Sequence, residues 1–218
     1  MPFALTHTDP AARPLIAVRT NALPEVLSSL SAPAAAYARA QGFAADPGAW
    51  CIVPDADGAI EAVLVGIADA GDPTLLGALP LQLPSGRYRL HDTLGLRIDP
   101  TNAGLSWGLG AYQFRRYKTA RREPAELCLD DSARIEAGRL LDAIWRVRDL
   151  VNTPTEHLGP ADLGDAVADV ARNYDAQVSV IEGEELLRQN FPAIHAVGRA
   201  SHRAPRLIEL NWGDDSKP

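Results

Sequence analysis

Methionine occurs once in this chain of 218 residues, and there are only two cysteines, four phenylalanines and five histidines. Two cysteines make no disulfide framework. Cys51 and Cys128 each lie inside an apolar, strand-like run (AWCIVPD and AELCLD), so both are expected as buried free thiols. No CxxC and no Cys/His pair at zinc spacing occurs, which argues against a structural zinc site. His7, His91, His157, His195 and His202 include no H-E-x-x-H and no pair at helical ligand spacing, so each reads as a surface or loop histidine. Positive charge is in deficit: 21 Lys and Arg against 28 Asp and Glu give a net charge of -7. That excludes a surface given over to neutralising phosphates, though not a local basic patch. No apolar run approaches the roughly 18 residues of a membrane helix. The start, MPFALTHTDPAARPL, has no basic segment leading into an apolar one, so no membrane contact and a cytoplasmic address are expected.

What is present is an ordinary globular composition, with 46% hydrophobic and 22% charged residues. LIAVR (15–19) reads as a strand, and residues 23–40 as one or two short helices interrupted by Pro24 and Pro33. WCIVP and AIEAVLVGI flank Asp55-Ala56-Asp57-Gly58, which marks a hairpin. The same aspartates mimic the start of a calcium loop, but the further oxygen ligands and closing Glu are missing. YRLHD and LGLRI read as strands, and Asp99-Pro100 as the cap and first residue of a helix expected to run to about Lys118. AELCLD is a further strand. Ser132 is expected to cap a long helix whose apolar positions Ala133, Ala137, Leu140, Ile144, Val147 and Val151 recur at three-to-four spacing, ending at Pro154. A helix from Pro160 carries Leu163, Ala166, Val167, Val170, Ala171 and Tyr174 on one stripe. A strand (QVSVI), a helix (183–189) and a strand (RLIELNW) follow, an alternation that points to a partly parallel sheet.

Three constellations could carry chemistry. Gly104-Leu105-Ser106-Trp107-Gly108 is a literal G-x-S-x-G, the pattern that lifts a catalytic serine onto a strand-to-helix elbow. The Asp99-Pro100 cap places Ser106 inside a helix instead, so a structural serine is expected. Arg115, Arg116, Lys118, Arg121 and Arg122, interleaved with Tyr112, Phe114 and Tyr117, suit either single-stranded nucleic acid or the basic end of a buried helix. The second is preferred, because the acidic whole gives no wider electrostatic support. The pairs Asp130-Asp131, Glu184-Glu185 and Asp214-Asp215 lie at element ends and read as solvated termini, the first two also as favourable charge near helix starts.

The segment Arg148-Asp149-Leu150-Val151-Asn152-Thr153-Pro154, with Ala196–Ser201 and Pro205-Arg206-Leu207 downstream and SWGLGAYQFRRYK upstream, resembles the leucyl (cytosol) aminopeptidases. The resemblance is specific over 100–218 and weak before that. It implies an α/β architecture: an N-terminal mixed-sheet, macro-domain-like, non-catalytic domain (1–131), a linking helix (132–151) and an incomplete second α/β domain (152–218) that begins the metallopeptidase catalytic domain. It further implies a homohexameric parent acting on peptides with two divalent metals, zinc or manganese, held by a lysine, three aspartates and a glutamate. Those ligands lie in a G-K-G-V-x-F-D-[ST]-G-G segment and an N-T-D-A-E-G-R segment, neither of which occurs in this sequence. Lys217-Pro218 matches the position just before the first. No catalytic, metal or cofactor-binding residue is therefore assigned, no metal is expected in this chain, and the chain alone is expected to be inactive. The alternatives are a non-catalytic binding module for a partner, a small ligand or DNA, and a serine hydrolase using Ser106.

Overall fold

Two runs with apolar side chains on both faces set the centre of the structure. β2 (Arg13–Val18) and β4 (Ile60–Gly66) pair in parallel, with Leu15 opposite Val63 and Ile16 opposite Leu64. Strands buried on both faces need helices on both sides. The computed structural model describes residues 3–71, 74–92 and 96–213 and divides into two units, 1–147 and 148–218.

In the first unit, β1 (Leu5–His7), β3 (Trp50–Pro54), β5 (Arg87–His91) and β6 (Glu126–Leu129) complete a six-stranded sheet of order β1-β6-β5-β2-β4-β3. Every pairing is parallel except that of β3 with β4, so the sheet is mixed. Leu15, Ala17, Val63 and Val65 face one core, Ile16, Val18, Ala62 and Leu64 the other. α1 (Leu23–Ser29) and α2 (Ala32–Ala40) cover the second face, α3 (Pro100–Ala111) and α4 (Asp131–Asn152) the first. Pro24 and Pro33 start their helices instead of interrupting them, since a first-turn proline forgoes no helical hydrogen bond. The hairpin turn forms as expected. The Asp55 carboxylate accepts from the Asp57 and Ala59 amides (both 2.9 Å), and Gly58 takes φ +82°, the geometry of a tight hairpin turn.

Three expectations for this unit need correction. Leu96–Ile98 of LGLRI form no strand, and Leu94 and Gly95 lie outside the described residues. α3 stops at Ala111, not near Lys118, because Tyr112 is extended. α4 is capped by Asp130, whose carboxylate accepts from the Ala133 amide at 2.9 Å, and Ser132 lies within the helix. Ala133, Ala137 and Leu141 are the buried positions of α4, whereas Leu140, Val147 and Val151 are exposed.

The second unit contains α5 (Pro160–Asn173), β7 (Gln177–Glu182), the short α6 (Glu185–Arg188) and α7 (Pro192–Gly198), and β8 (Arg206–Asn211). β7 and β8 pair antiparallel over six residues, which overturns the partly parallel sheet expected from the βα alternation. Two short helices return the chain so that β8 runs back along β7. Of the α5 stripe, Ala171 is buried while Leu163 and Tyr174 are exposed.

Candidate functional site

The serine of the G-x-S-x-G pattern sits in the middle of α3, only 1% exposed, and its Oγ accepts a hydrogen bond from the Leu76 amide at 2.9 Å. A nucleophile must meet substrate, and this hydroxyl instead satisfies a buried amide of the neighbouring loop. The glycines around it have a steric purpose. A Cβ on Gly108 would lie 2.2 Å from Leu141, one on Gly104 2.7 Å from Leu129, and one on Gly110 1.7 Å from the Gly77 carbonyl. The pattern is a close-packed helix face, and the serine-hydrolase alternative has no support in the geometry.

The basic cluster is not at a helix end. Residues 112–125 form a loop joining α3 to β6, so the helix-dipole account of Arg115 to Arg122 does not hold. The Gln113 side chain closes the loop, accepting from the Arg121 amide (3.0 Å) and donating to the Arg122 carbonyl (2.9 Å). Arg122 turns inward and donates to the carbonyls of Leu81, Gln82 and Leu83. Arg115, Arg116, Lys118 and Arg121 are exposed, and Arg115 faces Glu123 at 3.5 Å.

In the second unit, Thr153 Oγ1 donates to the Asp149 carbonyl (2.6 Å) and closes the end of α4. Arg203 then clamps the loop that follows, its guanidinium donating to the carbonyls of Thr155 and Glu156. Gly159 passes under the clamp, where a Cβ would meet Arg203 at 2.7 Å. Sequence reading missed this residue, because its partners are 47 and 48 positions away and no local pattern marks it. Beside it opens a cavity of about 740 Å³ lined chiefly by Leu158, Leu163, Ile194, Val197, Pro205 and Ile208. Among the described residues that line it there is no carboxylate and no histidine, and the wall is mostly apolar.

Several titratable groups are tied to structure. His7 meets Asp131 (3.0 Å) at the start of α4, His91 meets Arg89, and His195 meets Glu184 (3.1 Å) at the start of α6. Asp130 and Asp131 thus serve a helix start as expected, and Glu184-Glu185 open α6, while Asp214-Asp215 and Lys217-Pro218 lie outside the described residues. Arg134, then His7, hold the Asp131 carboxyl below its ordinary range. Burial pushes the Cys51 and Cys128 thiols up, and both are free and buried, as their strand-like setting implies. Among the described residues no three His, Cys, Asp or Glu side chains gather into a possible metal group. No helix among them is long and apolar enough to cross a membrane.

Comparison with known proteins matches this geometry to one family. The sequence pattern described as M17 aminopeptidase, N-terminal domain, matches residues 13–130, and that of the cytosol aminopeptidase family, catalytic domain, matches 145–218. A probable cytosol aminopeptidase of Corynebacterium efficiens is 32% identical over 139 residues, covering 59% of this chain and 27% of that protein. The crystal structure of a cytosol aminopeptidase from Coxiella burnetii superposes with a TM-score of 0.90 at 36% identity, over 98% of this chain and 47% of that one. The bottromycin maturation enzyme BotP in complex with Mn gives 0.73 at 26% identity, over 94% and 46%. The chain thus spans less than half the length of these relatives. With one family pattern covering more than half of its residues and a second matching 145–218, the chain belongs to the M17 cytosol aminopeptidase family.

Proposed function

We propose that this chain forms the front portion of a two-metal aminopeptidase that removes N-terminal residues from peptides. Residues 1–131 form its non-catalytic domain, 132–151 the linking helix, and 152–218 the opening of its catalytic domain. The observation that carries this reading is the order of the two family matches along one chain, with Arg148–Pro154 just inside the second. The whole enzyme is then a cytoplasmic homohexamer, a reading that rests on the family resemblance.

The described side chains do not fit a two-metal centre. Such a centre needs several anionic ligands fixed at short range, and no group of three is brought together here. The contribution of these residues is to support and position. Arg203 fixes the loop after α4, and the apolar cavity beside it offers a packing surface. The 218-residue chain is accordingly expected to bind zinc or manganese weakly and to release no product from a leucine anilide. A longer reading frame carrying the lysine and acidic segments is expected to be active and chelator-sensitive. The test is an anilide assay with added manganese on homogeneous 218-residue chain, with mass spectrometry excluding longer material. Chelator-sensitive turnover by that sample would place catalytic groups among residues here given structural roles.

A further inference from the structure

The loop between α3 and β6 has no role in the proposal above, yet it is built with some care. Its base is stapled twice, by the Gln113 amide across the neck and by Arg122 against three carbonyls. Between those staples the chain carries Arg115, Arg116, Lys118 and Arg121 and no carboxylate, in a protein of net charge -7. All four cations are exposed. Among the described residues Arg115 pairs with Glu123, and an exposed contact at 3.5 Å neutralises little. At the tip Tyr117 is 46% exposed. It is held by an edge-on contact with Phe114 (centroids 5.7 Å apart, planes at 66°) and by the Arg116 guanidinium 5.8 Å from its ring centre.

An aromatic that served only the core would be buried, and cations that served only the helix would sit on its last turn. Here the ring is propped up at the surface among positive charges, on a loop whose shape is fixed in advance. Phosphodiester oxygens take cations, and an unpaired base takes a π face backed by guanidinium, so one short loop offers both halves of single-strand recognition. An acidic peptide would use the charges and leave the ring idle.

We propose that the loop 113–122 is a binding site for single-stranded nucleic acid, with Arg116, Lys118 and Arg121 on the phosphates and Tyr117 stacking a base. The site lies wholly within the first unit and is independent of the peptidase reading.

The test is fluorescence anisotropy of the 218-residue chain with labelled oligothymidylate and oligouridylate of about 15 nucleotides, started at about 50 mM salt and raised stepwise. Binding is expected with log K falling against log salt at a slope of about -2, since each phosphate contact on a single strand contributes about -0.7. Lys118→Ala and Arg121→Ala should each flatten the slope by about 0.7. Tyr117→Ala should weaken binding about tenfold at unchanged slope, and Tyr117→Phe should restore it. All these side chains are exposed, and a thermal melt confirms that each variant folds. A preference between the two oligomers assigns the site to DNA or RNA. Absence of binding at low salt, or binding unaffected by the triple change of Arg116, Lys118 and Arg121 to Ala, overturns the proposal. So does a polyglutamate peptide that competes equally while Tyr117→Ala has no effect, which would make the loop a docking point for an acidic protein.

Discussion

The two units of this chain are built from similar elements and bury them very differently. In the first, six strands separate two apolar cores, and Trp107, Tyr88, Leu15 and Leu64 are completely enclosed. In the second, β7, β8 and α5 to α7 enclose few large side chains among the described residues. Leu186 is buried, but Val151, Val197 and Trp212 are 79%, 89% and 74% exposed. Sheet size contributes to the difference, and so does the higher share of charged residues in 148–218. A central strand such as β2 presents both faces to helices, whereas a two-stranded sheet is at most marginal by itself. The first unit encloses two apolar cores, and the second leaves several large apolar side chains exposed.

Hydrogen exchange on a monomeric sample gives the hardest test of that contrast. Amides of β7 and β8 are expected to open with free energies near those of fraying segments. Those of β3 and β4 should approach the global value, of the order of 5–15 kcal/mol in small proteins. Equal protection of the two sheets would break the comparison. The next largest effect separates two tryptophans. Trp107 is fully buried and donates to the Ala125 carbonyl at 2.9 Å, so Trp107→Ala should cost about 3–5 kcal/mol in denaturant unfolding. Trp212, with its indole on the Tyr174 carbonyl at 3.0 Å, should lose about 1 kcal/mol when truncated. Comparable losses at both sites would mean that the second unit packs more tightly than its surface indicates.

The smallest effect concerns acid. Asp131 is pulled below the usual carboxylate range by Arg134 first and His7 as well, and Glu185 by Gln189 and then Arg188. A carboxylate whose folded pKa lies below its unfolded one stabilises the fold above about pH 4 and loses that contribution as pH falls through the folded value. Melting followed downward from pH 4 should therefore fall more steeply for the wild type than for Asp131→Asn. Identical acid limbs would show that the Arg134 contact does not persist in solution.

Legibility followed the range of the interactions. The β3–β4 hairpin was readable because its turn, its alternation and its pairing lie within 17 residues, 50–66. The start of α3 was readable because Asp99 and Pro100 act on the adjacent turn. β1 went unseen, since three residues carry no period and their partner, β6, is more than a hundred positions away. The end of α3 was misplaced because the aromatic and basic run continues a helical spacing, while the chain turns extended at Tyr112 into a loop held by Gln113 and by Arg122 on the 81–83 carbonyls. The antiparallel return of β8 was hidden for a similar reason. Alternating strands and helices specify that the chain comes back, not the direction in which the next strand runs. Of the candidate site, the family segment at 148–154 was legible and the Arg203 clamp was not.

The pairing of β1 with β6 also sets an order of events during synthesis. Leu5 aligns with Leu127 and His7 with Leu129, so the edge of the sheet nearest the amino terminus cannot be laid down until nearly 130 residues have left the ribosome. Until then Leu5 has no strand beside it, and β2 and β4 can pair but the far edge stays open. Such a long wait for a chain-distant partner makes closure of the sheet a late and slow step. α4 begins two residues after β6 ends, so the segment that completes the sheet and the helix that seals it are translated almost together.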